Sequence, residues 1–292
     1  MLQLPVYPML LEKSDAVPKG PYLHSLKIDG IRCLLNYSLT GIQLATRHLT
    51  DITRQFPEIQ HISLNANDAI VDGELCVVDE KTARPNFEQT MSRFHTSGQK
   101  IYNSMMSKPS VFFAFDILQL NGETLVQRKL VDRLAILQEV IQPSNHLVML
   151  ESYEDGDALF QATKEMGLEG TVSKLVDSKY LIAKRSQNGE WLKNKHFIIE
   201  TVDVVGIRKK DFGWSLAQNG KYVGILELAP PHARKAFWAV AKQIIIKEDK
   251  NYYWLEPVFR INVKSIGRTS NGLLRTPSFI NFVFEGATVG DS

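Results

Sequence analysis

The chain has 292 residues, of which 44% are hydrophobic and 23% are charged, and its formal net charge is +2. These values are typical of a soluble globular protein and exclude a disordered, collagen-like or low-complexity chain. No apolar run is long enough to predict a membrane span, and the N-terminal residues lack the pattern of a secretion signal, so we expect a cytoplasmic protein. Cys33 and Cys76 lie in apolar, strand-like contexts, which favours small buried residues over a disulfide or a zinc site.

The first part of the chain shows strand and helix patterns in loose alternation. Short apolar runs broken by turn residues predict strands and hairpins from Leu23 to about Val78. Residues 83–95 have a more helical pattern. The apolar run 111–118 predicts a buried strand that ends at the turn Asn121-Gly122.

Two helices and two strands are predicted next. Apolar residues recur at helical spacing from Leu130 to Ile141, and Asp157 to Met166 has the pattern of another helix, which Gly167 is expected to end. Strand-like segments follow around Thr171 and Trp191. The first domain is therefore predicted to be a mixture of sheets and helices.

After about Phe197 the pattern changes to short strands at close intervals. One helical segment, Ala233 to Ile246, interrupts these strands. Several short strands and one helix in so short a segment are typical of a small closed barrel such as an OB-fold. We therefore expect two domains, residues 1–196 and residues 197–292.

Five short motifs, in order along the chain, contain residue types suited to catalysis. They are K-x-D-G-x-R (Lys27, Asp29, Gly30, Arg32), D-G-E (Asp72, Gly73, Glu74), F-D (Phe115, Asp116), E-G (Glu169, Gly170, with Lys174 after it) and W-x-K-x-K (Trp191, Lys193, Lys195). A Thr46-Arg47 pair lies between the first two. The first motif alone is weak evidence, because Asp-Gly is a common turn and charged residues often flank turns. The ordered set is a strong signal.

With these motifs the sequence resembles the covalent nucleotidyltransferases, and most closely the minimal two-domain ATP-dependent DNA ligases, over nearly the whole chain. The resemblance implies an α+β fold, with an adenylation (nucleotidyltransferase) domain of antiparallel sheets and flanking helices followed by a small OB-fold β-barrel. It implies an enzyme that uses ATP and Mg²⁺ or Mn²⁺ to seal nicks through lysyl-AMP and DNA-adenylate intermediates. We expect nicked duplex DNA as the partner, no membrane association and a monomer.

The resemblance assigns four catalytic residues. Lys27 is the nucleophile that attacks the α-phosphorus of ATP, and Gly30 is expected to let the backbone approach the nucleotide. A free lysine has a pKa near ~10.4, so Lys27 needs burial or nearby positive charge to lose its proton. Lys193, Lys195 and a metal ion are expected to supply that charge and to neutralise the triphosphate. Asp29 is expected to assist the attack of the 3′-hydroxyl at a nick.

The resemblance also implies residues that contact the nucleotide, the metal ion and DNA. The implied ATP-binding residues are Ser25, Lys27, Arg32, Glu74, Phe115, Glu169, Lys193 and Lys195. Glu74 and Glu169 are the implied metal ligands, and Phe115 is implied to stack on adenine. Considered singly, each glutamate is more often a surface acid and Phe115 a core residue. Arg32, Arg47 and Arg185 suit DNA phosphates, because a guanidinium group binds phosphate through two hydrogen bonds.

One motif of the family is missing. These ligases commonly carry R-x-D-K shortly after a stretch like G-x-L-R-x-P-S-F, but here N-G-L-L-R-T-P-S-F (residues 271–279) continues as I-N-F-V-F-E-G. That motif is thought to orient the leaving pyrophosphate. Lys264, Arg268 and Arg275 are the nearby candidates to replace it, and we expect the chain still to adenylylate itself.

Four alternatives use parts of the same pattern. An RNA ligase or an RNA-capping guanylyltransferase shares the lysine chemistry, but F-D-I-L-Q-L-N-G and G-L-L-R-T-P-S-F favour a DNA ligase. An NAD⁺-dependent ligase is disfavoured, because that family carries a cysteine-rich zinc module. A non-catalytic nucleic-acid-binding protein is the alternative from a different class, and the complete set of lysines and glutamates in the motifs argues against it.

Overall fold

The fold is given by a computed structural model that describes residues 6–283. The chain divides into two compact units, residues 1–195 and residues 196–292. The boundary expected from the sequence, after His196, differs from this division by one residue. Within the described residues, no helix has the length and apolar character needed to cross a lipid bilayer.

The first unit contains both strands and helices. In chain order they are β1 (Glu12–Lys13), β2 (Tyr22–Leu26), β3 (Ile31–Ser38), β4 (Gly41–Thr46), β5 (Asp68–Asp79), β6 (Arg84–Pro85), α1 (Phe87–Phe94), α2 (Lys100–Ser107), β7 (Ser110–Leu120), β8 (Glu123–Thr124), α3 (Leu130–Val140), β9 (Leu147–Met149), α4 (Gly156–Glu165), β10 (Gly170–Leu175) and β11 (Trp191–Lys195). Two 3-10 segments, Thr53–Gln55 and Pro57–His61, connect β4 to β5. Helix α2 was not predicted from the sequence.

These strands form two sheets. The smaller sheet has the order β1-β11-β10-β2, and the larger has the order β4-β3-β5-β7-β8, with β6 paired to β5 and β9 paired to β7. Pairing is antiparallel except that β1 runs parallel to β11 and β9 runs parallel to β7. The predicted α+β fold with antiparallel sheets is confirmed.

Central strands β5 and β7 of the larger sheet pack very closely. Alternate side chains such as Val71, Leu75 and Ile117 enter the main hydrophobic core. A Cβ atom on Gly73 would lie 2.4 Å from the ring of Phe112, so the glycine of the D-G-E motif is required by packing. This close packing fixes the flanking acidic residues of the motif on a rigid strand.

Several element ends agree with the turn residues of the sequence. Asn121 and Gly122 both have positive φ angles, 47° and 81°, at the predicted turn after β7. Asp155 caps α4 by accepting a hydrogen bond from the backbone N–H of Ala158, and Gly167 follows the helix with a φ of 66°. Local sequence therefore sets these boundaries.

The second unit is a barrel-like sheet with one helix. Its elements are β12 (Ile198–Arg208), β13 (Trp214–Gln218), β14 (Lys221–Leu226), α5 (Pro231–Ala241), β15 (Ile245–Glu248), β16 (Tyr252–Leu255), β17 (Arg260–Ser265) and β18 (Ser278–Val283). The strands pair antiparallel in the order β14-β13-β12-β16-β15, with β17 joined to β12 and to β18. Trp214 and Phe237 pack in its core. This arrangement agrees with the predicted OB-fold.

The helix of the second unit is shorter than predicted. It ends at Ala241 and not at Ile246, and a 3-10 segment, Lys242–Ile244, separates it from β15. Residues 244–246 are three consecutive isoleucines, which favour extended structure, and Ile245 pairs with Leu255 of β16. The hairpin that this segment forms with β16, the next strand along the chain, decides its conformation.

Candidate active site

A pocket in the first unit brings most of the predicted nucleotide-binding residues together. Ser25, Lys27, Arg32, Glu74 and Phe115 all line it. The apolar part of its wall is formed by Leu11, Leu26, Ile28, Leu150, Val172 and Trp191. A concave, largely apolar pocket with a few charged groups is the usual form of a small-molecule site.

The nucleophile predicted from the sequence is fixed by the smaller sheet. Lys27 directly follows β2, and its backbone N–H donates to the carbonyl of Gly170 at 2.9 Å. Gly170 has a φ of 138°, and a Cβ atom there would lie 2.0 Å from the carbonyl oxygen of Asn194. Glycine is therefore required in the E-G motif, where its close packing holds Lys27 and Glu169 on neighbouring segments.

Glu169 bridges two of the predicted catalytic lysines. Lys27 Nζ lies 2.5 Å from Glu169 Oε2, and Lys195 Nζ contacts Oε1. The side chain of Glu169 is only 5% exposed. Burial alone would raise the pKa of Glu169, but the positive charges of Lys27 and Lys195 outweigh it and hold the pKa below its usual value. The E-G carboxylate is therefore charged and held between two ammonium groups.

Glu74, the other predicted metal ligand, is in a different electrostatic environment. Burial raises its pKa to about 7, and the charges of Lys27 and Arg32 only partly oppose this effect. In contrast to Glu169, Glu74 makes no ion pair within 4.0 Å among the described residues.

Lys193 lies in the most positive part of the site. Burial lowers its pKa to about 8, and the neighbouring charges of Lys195, Lys27, Arg185 and Lys13 act in the same direction. Lys13 was not predicted as a site residue. It comes from β1, which pairs with β11 at Lys193.

Arg32 is held from the interior side of the pocket. It donates from Nε and Nη2 to the carboxylate of Asp72, at 2.8 Å and 2.6 Å, and its Cζ lies 4.9 Å from the ring centre of Phe115. Tyr180 donates its hydroxyl to the same carboxylate at 2.6 Å. Asp72, although part of the D-G-E motif, is fully buried. It therefore orients Arg32 from behind the pocket.

Phe115, the residue implied to stack on adenine, has a second cationic neighbour. Lys174 Nζ lies 4.4 Å from the centre of the Phe115 ring and 4.0 Å from that of Trp191, and it donates to the carbonyl of Phe115 at 3.0 Å. Burial lowers the pKa of Lys174 to about 8. The alternation along β10 places Val172 and Lys174 on the pocket face, which is the sequence signal for this lysine.

Asp116, the second residue of the F-D motif, does not line the pocket. It accepts two hydrogen bonds from Arg133 of α3, at 2.7 Å from Nε and 2.9 Å from Nη2, and both side chains are fully buried. This pair joins β7 to α3 behind Phe115. Asp116 therefore has a structural role.

Six predicted residues do not line the pocket itself: the neighbouring Glu169, Lys193 and Lys195, described above, and Arg47, Arg185 and Asp29. Arg47 is exposed after β4, where its Nε donates to His48, and Arg185 is exposed and donates to the carbonyl of Leu11 at 2.5 Å. Asp29 is half-buried in the loop that follows β2. In the same loop a Cβ atom on Gly30 would lie 2.5 Å from the carbonyl oxygen of Leu75. The glycine therefore lets the loop pack closely against β5.

The acidic groups of the pocket suit a metal ion that is bound mainly by phosphate and water. Among residues 6–283, no group of three or more His, Cys, Asp or Glu side chains is arranged to hold a metal ion. Mg²⁺ commonly uses one or two carboxylates and takes its remaining ligands from substrate phosphates and water. Glu74 and Glu169 fit that kind of site.

Residues 8–195 match the sequence model of a family described as the ATP dependent DNA ligase domain. The chain is also 33% identical over 281 residues to the SPbeta prophage-derived DNA ligase-like protein LigB of Bacillus subtilis, an alignment that covers 94% of this chain and 97% of LigB. This chain belongs to the ATP-dependent DNA ligase family. The family predicted from the sequence is thereby confirmed.

Other relatives of this ligase chain are longer. It is 27% identical over 287 residues to the bifunctional non-homologous end joining protein LigD of Bacillus subtilis, covering 90% of this chain but 46% of LigD.

Among solved structures, a Lig E DNA ligase aligns with a TM-score of 0.64 and 17% identity over 94% of this chain and 99% of that chain. A mycobacterial DNA ligase D complexed with ATP aligns with a TM-score of 0.57 and 21% identity, covering 96% and 95% of the two chains. At these identities the structures support the fold.

Proposed function

We propose that this chain seals nicks in duplex DNA, using ATP and a covalent Lys27–AMP intermediate. The observation that supports this best is the position of Lys27, whose ammonium group lies at the pocket wall, 2.5 Å from Glu169 and in the same cationic cluster as Lys193. A lysine held beside further positive charges is suited to attack a polyphosphate.

The first step joins the nucleotide to the enzyme. The neutral amine of Lys27 attacks the α-phosphorus of ATP, an N–P bond forms, and the bond to the β-phosphate oxygen breaks to release pyrophosphate. In the second step a 5′-phosphate oxygen at the nick attacks the same phosphorus and displaces Lys27. In the third step the 3′-hydroxyl attacks the 5′-phosphorus and releases AMP, and Asp29 assists the loss of the hydroxyl proton.

The other pocket residues bind and orient the nucleotide. Phe115 and Val172 enclose the base, and Arg32, held by Asp72, contacts the sugar or its phosphate. Lys193 and Lys195 neutralise the phosphates. Glu74 and Glu169 would hold a divalent ion, Mg²⁺ or Mn²⁺, which adds positive charge at the phosphates when bound.

DNA is the proposed partner of the assembled site. Arg47 and Arg185 are exposed, and each donates a hydrogen bond to the carbonyl of a residue that lines the pocket, Arg32 and Leu11 respectively. Both guanidinium groups are proposed to contact DNA phosphates. The protein is proposed to bind as a monomer. Because phosphate contacts release counterions, the affinity for a nicked duplex is expected to fall steeply as the salt concentration rises.

The proposal is tested by following one label through the reaction. The purified chain is incubated with Mg²⁺ and ATP labelled at the α-phosphate, resolved on a denaturing gel and then chased with nicked duplex DNA. We expect the label to attach to the protein and to leave as the nick is sealed. Labelled GTP and a nicked RNA duplex, used in parallel, test the capping enzyme and the RNA ligase.

Two variants provide the controls. Lys27→Ala is expected to abolish labelling, whereas Lys19→Ala, which removes an exposed lysine paired with Asp157, is expected to leave it unchanged. Label that attaches to the wild type but is discharged only by RNA would replace DNA with RNA as the substrate. A wild-type protein that binds nicked DNA and takes no label would indicate a non-catalytic binding protein.

A further inference from the structure

The short strand β1 places one lysine beside the nucleotide pocket. Lys13 pairs in register with Lys193, and Lys193 pairs on its other side with Val172. Residues paired directly across a sheet project from the same face. Val172 lines the pocket, as does Leu11, two residues before Lys13. The side chain of Lys13 therefore starts from the pocket face of the sheet.

The backbone on both sides of Lys13 is firmly held. Arg185 Nη1 donates to the carbonyl of Leu11 at 2.5 Å, and the side-chain amide of Asn194 donates to the carbonyl of Ser14 at 3.0 Å. Lys13 itself is exposed. A fixed backbone with an exposed ammonium group is suited to contact a charged ligand at the mouth of the pocket.

The cations at this edge have no ion-pair partner among residues 6–283. Lys13 and Arg185 lie close to Lys193, and their positive charges help to lower its pKa. In the described part of the chain, none of these three residues makes an ion pair within 4.0 Å with a carboxylate. Lys195, by comparison, is bound by Glu169. Unpaired cations that cluster beside a nucleotide pocket favour a polyanion at that place.

The first step of the proposed reaction requires positive charge near the terminal phosphates of ATP. Pyrophosphate gains negative charge as it leaves, and cations placed at the departing group stabilise that transition state. The seven residues after Phe279, where the basic motif common in the family would lie, contain no Arg or Lys. Arg268, one of the candidates to replace it, is bonded through its guanidinium group to Glu200 and Gln218.

We propose that Lys13 binds the terminal phosphates of ATP beside Lys193 and so supplies part of the positive charge that the missing motif would provide. This inference rests on the proposed function, because it concerns the first step of that reaction. Lys13 is assigned as a phosphate-binding residue of the adenylylation step and not as a DNA contact.

The test compares the ATP dependence of self-adenylylation in four proteins. Lys13→Ala is expected to raise the apparent KM for ATP about tenfold, since one ion contact with phosphate is lost. Lys13→Arg, which keeps the charge, is expected to stay within about twofold of the wild type, and so is the control Lys19→Ala. The loss in Lys13→Ala should shrink as salt is raised, because an exposed charge is screened.

The reverse reaction isolates pyrophosphate. Enzyme already carrying AMP is mixed with inorganic pyrophosphate, and the formation of ATP is followed. Lys13→Ala is expected to need about tenfold more pyrophosphate for half the maximal rate. Sealing of a nick that is already adenylylated, a reaction that uses neither ATP nor pyrophosphate, is expected to proceed at the wild-type rate.

Three results would overturn the assignment. Equal ATP and pyrophosphate dependence in Lys13→Ala and the wild type would show that Lys13 does not bind the terminal phosphates. A defect confined to the adenylylated nick would assign Lys13 to the DNA phosphate. A Lys13→Arg protein as impaired as Lys13→Ala would indicate a structural effect. A failure of the proposed function is distinguishable, because then the wild type itself takes no label.

Discussion

The first unit contains two layers of motif carboxylates, and the layers differ in the cations that contact them. In the deep layer, Asp72 and Asp116 are fully buried, and each accepts two hydrogen bonds from an arginine. In the pocket layer, Glu74 makes no ion pair among the described residues, and Glu169 contacts two lysines. The deep carboxylates are thus fixed by planar guanidinium groups, whereas Glu169 contacts flexible ammonium groups and Glu74 is held by no cation within 4.0 Å among residues 6–283.

This difference indicates which motif residues have a structural role. An arginine pair with two parallel hydrogen bonds fixes geometry, and the deep layer uses such pairs to join β7 to α3 and to orient Arg32. Lysine contacts are single and exchangeable, which suits groups that must release one partner and bind a phosphate. Changes in the deep layer should therefore lower stability, and changes in the pocket layer should lower activity.

The largest expected effect is on stability in the deep layer. Asp116→Ala would leave Arg133 buried without its carboxylate, which should cost about 3–5 kcal/mol in the free energy of unfolding. Urea unfolding followed by circular dichroism measures this cost. A loss below about 1 kcal/mol would mean that the pair behaves like a surface ion pair and that the two layers do not differ in this way.

In the pocket layer the expected effect is on rate. Glu169→Gln removes the negative charge between Lys27 and Lys195 and should slow self-adenylylation by about a hundredfold or more. Its free energy of unfolding should fall less than that of Asp116→Ala, because the two lysines left without a partner, Lys27 and Lys195, are partly exposed to water. Labelling rates and urea unfolding of the same preparation provide both values. A Glu169→Gln protein that labels normally but unfolds easily would place Glu169 with the structural carboxylates.

The dependence of stability on pH tests the buried lysine between the two layers. Burial lowers the pKa of Lys174 to about 8, below its value in the unfolded chain. Above about pH 8 the unfolded chain binds a proton that the folded chain has released, so this lysine makes stability rise as the pH is raised toward about 10.5. Relative to Lys174→Met, the wild type should gain up to about 3 kcal/mol over that range.

Urea unfolding of both proteins at pH 7.5, 9 and 10 measures this difference. Because the variant keeps every other titrating group, the comparison isolates the contribution of Lys174. Parallel pH curves for the two proteins would contradict the lowered pKa.

The smallest expected effect is at the surface. Lys129 and Asp177 form an exposed pair at 3.0 Å, with side chains 57% and 59% exposed. Asp177→Ala should therefore change the free energy of unfolding by less than about 0.5 kcal/mol. It is the matched control for Asp116→Ala, because each variant removes one aspartate from one ion pair. Similar losses in the two variants would indicate that burial does not distinguish the pairs.

The sequence predicted local features and the motif set well. The turn at Asn121-Gly122 depends on residues adjacent in the chain, and the motifs that contain Lys27 and Glu169 are brought into contact by the fold. In contrast, the sequence analysis extends the helix through the isoleucine segment, which instead forms a hairpin with the next strand, β16. A short apolar run fits either a helix or a strand, and the pairing with β16 decides between them.

Several site residues were beyond the reach of the sequence because their partners are far away along the chain. Lys13 lies beside Lys193 only because β1 pairs with β11, about 180 residues later in the chain. The bond between Tyr180 and Asp72 likewise joins segments that are far apart in sequence. Roles that depend on long-range pairing are visible only when the fold is known.

The measurement that tests the central claim most directly is peptide mapping by mass spectrometry after incubation with ATP and Mg²⁺. We predict that one AMP is attached to the wild-type chain at Lys27, that the adduct disappears when nicked duplex DNA is added, and that Lys27→Ala carries none. AMP attached to another lysine, such as Lys174, or a wild-type chain without any adduct, would contradict the account.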